Sequence, residues 1–151
     1  MVITCSDTRT PDTDASGQLI QKLLREQGHS VVSYHVVKDD PGQILFQITL
    51  GTASDAIRAV IVNGGTGISR RDSTFEAIDG LLEKRLSGFG EIFRLLTYQE
   101  IGSSAIMSRA TAGIVKDRVV FSIPGSENAV RLAMEKLILP ELGHLVGELS
   151  K

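Results

Sequence analysis

The sequence predicts a three-layer α/β/α domain, with helices on both faces of a mostly parallel central sheet. Three observations carry that expectation. Segments with strand and helix patterning alternate along the chain. Residues 59–62 form a continuous apolar run, the pattern of a strand buried on both faces of a parallel sheet. Polar loops rich in glycine and aspartate follow the predicted strands, where open parallel sheets bind ligands.

The elements follow in order. Residues 2–5 form a short β-prone run, and residues 6–13 a polar loop. Residues 14–27 read as a helix, because Leu19, Ile20, Leu23 and Leu24 fall on one face. Gly28 stands where a left-handed helix end is wanted. Residues 30–37, rich in valine, read as a strand. Asp40-Pro41 is a helix start, an acidic N-cap followed by proline, and that helix runs to about Leu50. After the apolar strand comes Asn63-Gly64-Gly65-Thr66-Gly67. Ser73 and Glu76 have capping-box spacing, so a helix is expected from there to about Leu86. Gly88-Phe89-Gly90 is expected to interrupt, with helical stretches at 91–96 and 103–109. Residues 113–115 and 118–123 read as strands around a turn at Lys116-Asp117. A loop at Pro124-Gly125-Ser126 precedes a helix over 127–139, which Pro140 ends or kinks. A last helical stretch closes the chain.

The bulk numbers agree with one domain over residues 1–151. A domain of that size buries roughly 70% of the surface its unfolded chain exposes, so a core forms without staples. Aromatics are 5% and Trp is absent, so aliphatic side chains must build that core. Lys plus Arg number 16 against 18 for Asp plus Glu, which argues against a nucleic-acid binder. The single cysteine, Cys5, permits no internal disulfide and reads as a small core residue. No apolar run approaches the ~20 residues of a membrane span, and the start lacks a signal-peptide pattern. A cytoplasmic location is expected. The first strand begins at the first residue, which leads us to expect a few residues upstream.

The chemistry gathers in the loops. The glycine run lets the backbone turn sharply and bring N–H groups to an anion; a plain turn is the competing reading. Arg70 and Arg71 favour phosphate recognition. Asp72 follows them, either as an ion-pair partner or as a ligand for Mg²⁺, which takes one or two carboxylates plus substrate phosphates. Asp40 has a structural reason in the N-cap; Asp39 has none and is the better functional candidate. Carboxylates, arginines and a glycine-rich backbone are the inventory of phosphoryl-type transfer. There is no P-loop, no G-x-G-x-x-G after the first strand, no H-E-x-x-H and no G-x-S-x-G. The three histidines are scattered, His29 reading as a helix-end cation. Phe75, Phe89 and Phe93 read as core, with Phe89 alternatively beside a ligand or a subunit contact.

Asn63-Gly64-Gly65-Thr66-Gly67 with Arg71-Asp72 resembles the T-G-G-T-G signature of the MoaB/Mog family, which is similar to the gephyrin G domain. Ser6-Asp7-Thr8-Arg9 and Asp14-Ala15-Ser16-Gly17 resemble its first loop and helix start. Asp39-Asp40 resembles its acidic loop, and Gly88-Phe89-Gly90-Glu91 its P-G-F-x-E segment. Ser108-Arg109-Ala110 and Pro124-Gly125-Ser126 match two later motifs. The resemblance implies a Rossmann-like α/β/α molybdopterin-binding domain that forms trimers or hexamers. It implies that molybdopterin and Mg-ATP are substrates, giving adenylylated molybdopterin and pyrophosphate. By position Asp39 and Asp72 resemble the catalytic aspartates and carry the Mg²⁺ expectation. Gly64, Gly65, Thr66 and Gly67 resemble the pterin and phosphate wall. Asp7, Ser16, Arg71, Ser108, Pro124, Gly125 and Ser126 lie in motifs lining the same pocket. Asn63 replaces the signature's first threonine, and Phe75 replaces the proline after Asp-x-Thr. Ser-Asp-Thr-Arg and Gly-Phe-Gly-Glu resemble the MoaB branch, Arg-Arg-Asp the Mog branch. The alternatives are a non-catalytic pterin-binding or scaffold protein of the same pathway, with other pathway proteins as partners, and a nucleotide-binding oligomeric domain of another pathway.

Overall fold

A computed structural model describes all residues, 1–151. Its strands are β1 (Val2–Cys5), β2 (Tyr34–Val37), β3 (Ala59–Asn63), β4 (Lys84–Arg85), β5 (Thr111–Val115) and β6 (Arg118–Ile123). They form one sheet in the order β2-β1-β3-β6-β5-β4. Strands β2, β1, β3 and β6 run parallel, while β5 is antiparallel to both β6 and β4. The helices are α1 (Ala15–Glu26), α2 (Pro41–Ala53), α3 (Thr74–Leu81), α4 (Ser87–Ile101), α5 (Glu127–Ala133) and α6 (Leu139–Leu149). No helix is long and apolar enough to cross a membrane.

Strand periodicity divides the interior into two cores, because successive side chains point to opposite faces. Val2, Ile61, Val119 and Phe121 face α1, α4, α5 and α6, meeting Ile20, Phe93, Val130 and Ile138. Ile3, Val60, Val62 and Val120 face α2 and α3, meeting Ile44, Ile48 and Ile78. The three-layer α/β/α expectation holds. Chain order reverses across β1, with β2 on one side and β3 on the other. That reversal opens a crevice at the carboxyl ends of β1 and β3.

Local chemistry explains most helix ends. The Asp14 carboxylate accepts from the Gly17 N–H at 3.1 Å and caps α1. Gly28, at φ +81, lets the His29 N–H reach the Leu24 carbonyl at 3.0 Å, closing a Schellman end. Asp40 caps α2 through the Gln43 N–H at 2.9 Å.

Five expectations need correction. The strand expected over 30–37 is restricted to Tyr34–Val37. The helix expected to run to Leu86 stops at Leu81, and Lys84–Arg85 add an edge strand to β5 instead. Ser73 stands at the N-cap position of α3 without a side-chain capping bond, and the Glu76 side chain pairs with Arg109 instead of returning to the Ser73 N–H. Gly88 and Gly90 do not interrupt; they lie in the first turn of α4, where N–H groups lack helical partners anyway. A Cβ at Gly90 would sit 2.6 Å from the Ala110 carbonyl, so glycine lets α4 approach the entry to β5. The break comes later, at Gly102 (φ +70), and a 3₁₀ turn over Gly102–Met107 follows. Of the two outcomes expected at Pro140, an end or a kink, the end is overturned, since the helical run continues over Leu139–Leu149. A π-helical turn over Met134–Ile138 widens the backbone just ahead of the proline, relieving the clash with the preceding turn.

Candidate active site

The loops after β1, β2, β3 and β6 all emerge at one edge, since those strands are parallel. Side chains tie them together. Asp7 Oδ1 accepts from the Asp39 N–H at 3.2 Å, and Asp7 Oδ2 accepts from Arg71 at 2.9 Å. Arg9 donates to the Gly125 carbonyl at 3.2 and 3.3 Å. A Cβ at Gly125 would lie 3.1 Å from Gly64 Cα.

The glycine run is the centre of this edge. Gly64, at φ +97, would place a Cβ 2.3 Å from the Cys5 carbonyl, so β3 can turn against β1 only with glycine there. A Cβ at Gly65 would lie 2.7 Å from Asp39 Oδ1, and one at Gly67 would lie 2.5 Å from Asp72 Oδ2. The missing side chains therefore admit two carboxylates against one side of the loop. On its other side opens a cleft of about 680 Å³, lined by Gly64, Gly65, Thr66 and Gly67 together with Arg9 and Ser108. Pro124, Gly125 and Ser126 continue that lining. The Ser108 hydroxyl forms no bond within the protein, whereas Ser126 Oγ accepts from the Ala129 N–H at 3.2 Å and caps α5.

Asp39 and Asp72 do not line the cleft; they stand behind the loop. Asp39 Oδ1 accepts from the Thr74 hydroxyl at 3.0 Å. Asp72 Oδ2 accepts from the Ser69 N–H at 2.9 Å and from the Ser69 hydroxyl. Partial burial raises the Asp39 carboxyl above the usual carboxylate range; the Thr74 bond opposes this, and the charges of Asp72 and Asp7 add to it. Its folded value exceeds its unfolded one, so the charge works against folding once pH rises through the folded value. Asp39→Asn is therefore expected to raise Tm at pH 7 to 8 in Mg-free buffer. The gain should vanish as pH falls below about 4, where the unfolded carboxyl is also protonated. A Tm difference independent of pH would show that this charge is not the cause. No group of three metal-ligating side chains is present. The Asp39 and Asp72 pair still fits Mg²⁺, which completes its shell with water and substrate phosphate oxygens.

Ser16 is fully buried and does not reach the cleft. Its hydroxyl accepts from Arg9 and faces the Asn63 side-chain oxygen at 2.9 Å. The motif expectation of direct ligand contact is thus corrected to support of Arg9. Asn63 is equally buried: its amide donates to the Ile3 carbonyl at 3.2 Å and to the Thr4 hydroxyl oxygen at 2.9 Å. It cross-links β1, β3 and α1 beneath the site. Burial pushes the Cys5 thiol up to about 12, so it stays protonated, a core residue as expected.

Two arginines matter more than their sequence positions announced. Arg9 anchors the β6 loop to the start of α1. Arg109 donates from Nε to the Thr66 carbonyl at 2.8 Å, reaches the Gly67 carbonyl and Glu76, and stacks 4.9 Å from the Phe75 ring centroid. The Gly64 N–H is used on the Ile123 carbonyl at 3.0 Å, while those of Gly65, Thr66 and Gly67 make no bond within the protein. Phe75, at the departed proline position, is the platform for that guanidinium. Phe89 is core, 5.3 Å from the Phe121 ring. The only sequence signal for either arginine was its place inside a motif, Ser6-Asp7-Thr8-Arg9 or Ser108-Arg109-Ala110.

The fold and its edge define an α/β/α protein whose ligand cleft sits at the reversal of strand order, beside a glycine loop backed by carboxylates. The model of a family described as "probable molybdopterin binding domain" matches residues 1–144. Molybdenum cofactor biosynthesis protein B of Bacillus cereus is 54% identical over 151 residues, covering 99% of this chain and 89% of that protein. The protein of the same name from Bacillus subtilis strain 168 gives the same figures. A crystal structure of a molybdenum cofactor biosynthesis protein B superposes with TM-score 0.96 at 55% identity, covering 99% of this chain and 93% of that one. The tungsten cofactor synthesizing protein MoaB of Pyrococcus furiosus gives 0.86 at 40%, covering 99% and 95%. The chain belongs to the MoaB/Mog family of molybdenum-cofactor biosynthesis proteins.

Proposed function

We propose that this protein adenylylates molybdopterin with Mg-ATP, in the cytoplasm, releasing adenylyl-molybdopterin and pyrophosphate. The observation that carries this reading is the two-sided glycine loop. One side borders a cleft large enough for a pterin, lined by Arg9 and by Gly65, Thr66 and Gly67, whose N–H groups make no bond within the protein. The other side carries Asp39 and Asp72 against the same backbone, with Asp7 bonded to the Asp39 N–H. A phosphorylated pterin in the cleft and a nucleotide triphosphate over the carboxylates would meet across the loop.

The terminal phosphate oxygen of molybdopterin forms a bond to the α-phosphorus of ATP, and the α–β bridging P–O bond breaks, with the electron pair leaving on pyrophosphate. Arg9, Arg71 and the loop N–H groups hold the phosphates in line, which is most of what such a transfer needs. Mg²⁺, when bound, neutralises the developing phosphate charge. Asp39 and Asp72 would hold it, and the bonds from Thr74 and Ser69 keep those carboxylates oriented.

Mixing purified protein with molybdopterin and Mg-ATP tests the reading. Pyrophosphate release that needs both substrates supports it. Binding of molybdopterin without release leaves the non-catalytic pterin-binding alternative.

The same reading takes residues 1–151 as one molybdopterin-binding domain that assembles as a homo-oligomer, a trimer or hexamer. Ile92, Leu95, Tyr98 and Ile101 leave an exposed apolar stripe along α4, extended by Ile106 and Met107. The apolar residues over 132–145, by contrast, serve the core: Leu132, Met134, Ile138 and Leu142 are buried. Sedimentation velocity that returns only monomer would remove the oligomer from this reading.

A further inference from the structure

Glu100 is the one carboxylate among the residues lining the cleft, and Arg9 the one guanidinium. They belong to different walls. Arg9 sits at the sheet edge on the Gly125 carbonyl, and Glu100 in the last turn of α4. A carboxylate there faces the negative end of the helix dipole, so the fold gains nothing from it. It has no partner in the protein either: Arg131, which shares the adjoining groove, pairs with Glu135 at 2.9 Å. Asn128 lines both the cleft and that groove beside Glu100, and its amide is likewise uncommitted. Ile101, Met107, Ala129 and Leu132 supply apolar surface around this pair. The Thr97 hydroxyl is already used on the Phe93 carbonyl at 2.7 Å.

A cleft wall with apolar side chains beside an unpaired carboxylate suits a flat ring with two adjacent N–H donors. The 2-amino-4-oxopyrimidine ring has that edge, with a carbonyl next to it for an amide N–H. Pterin carries this edge, guanine carries the same one, and adenine does not. We propose that Glu100 recognises the amino-pyrimidinone edge of the pterin, with Asn128 at the neighbouring carbonyl, and so decides which substrate enters the cleft. This rests on the proposed function and assigns the two substrates to their sides: pterin toward α4, adenine nucleotide toward Asp39 and Asp72.

Titration of the full chain with molybdopterin under anaerobic conditions, and separately with GTP and with Mg-ATP, tests the assignment. Glu100→Gln keeps the size of the side chain and removes its charge and one acceptor. A charge-assisted hydrogen-bond pair lost in this way should weaken molybdopterin binding about 10- to 100-fold. Mg-ATP affinity and Tm should stay unchanged, a split that general damage to the fold would not produce. Equal molybdopterin affinity in wild type and Glu100→Gln overturns the assignment while leaving the proposed function standing. GTP bound in place of molybdopterin, and lost in the variant, gives that wall to a guanine nucleotide and overturns the pterin assignment. Wild type that binds neither overturns the assignment and the proposed function together.

Discussion

Asp72→Asn should lower the rate of pyrophosphate release by about 10³-fold or more, the scale of losing one preorganised charge contact in a transferring phosphoryl site. The fold should survive. Asp72 is partly exposed and accepts from the Ser69 N–H and hydroxyl. Asparagine keeps an oxygen for one of those donors, so the local cost is about 1 kcal/mol. What it removes is the negative charge set against Gly67. Molybdopterin binding should change little, because Asp72 does not line the cleft. A variant that releases pyrophosphate at the wild-type rate would take Asp72 out of the reaction. A variant that unfolds would show instead that its role is to hold the loop.

Asn63→Ala should lower unfolding stability by about 3 kcal/mol, from orphaned buried polar groups and the cavity left behind. That corresponds to a fall in Tm of roughly 6–12 °C for a chain of this size. The amide is fully buried and bonded to Ile3, Thr4 and Ser16, three points on β1 and α1. The loss is large against a total stability of about 5–15 kcal/mol. Ser16 can turn to Asp14 Oδ1, at 3.2 Å, which limits the damage. Asn63→Thr, the residue of the T-G-G-T-G signature, should cost about 1–2 kcal/mol, since a hydroxyl replaces part of the bonding. Equilibrium urea unfolding reads both. A midpoint unchanged in Asn63→Ala would mean that this buried cross-link contributes nothing net.

Much of the architecture was legible because local chemistry and tertiary packing ask for the same residues. Asp14, Gly28 and Asp40-Pro41 are the helix ends they resembled, since a cap acts within a few residues of itself. The 59–62 run is β3 at the sheet's centre, buried on both faces. Failures fell where a distant partner won. Ser73 and Glu76 have capping-box spacing, yet Arg109, far away in sequence, takes Glu76. Gly88 and Gly90 look like helix breakers, yet both sit in the first turn of α4, and at Gly90 the Ala110 carbonyl needs the space. Pro140 looks like a stop until the π turn ahead of it accommodates its ring.

For the site, the motifs named the residues and left their arrangement open. The sequence alone determined which loops the proposed chemistry is assigned to, because glycines, aspartates and arginines follow the strands that a parallel sheet aligns. It also determined the likeness to a pterin-binding family, through the order of its motifs. Only the tertiary structure decided which side of the glycine loop each group occupies. Asp39 and Asp72 stand behind it, Arg9 and Ser108 in front, and Ser16 and Asn63 beneath. Those sides are set by contacts between residues far apart in sequence, such as Asp7 with Arg71, Thr74 with Asp39, and Arg9 with Gly125. The physical reason is that a residue's type fixes what it can bond, while the packing of distant strands and helices fixes what comes within reach.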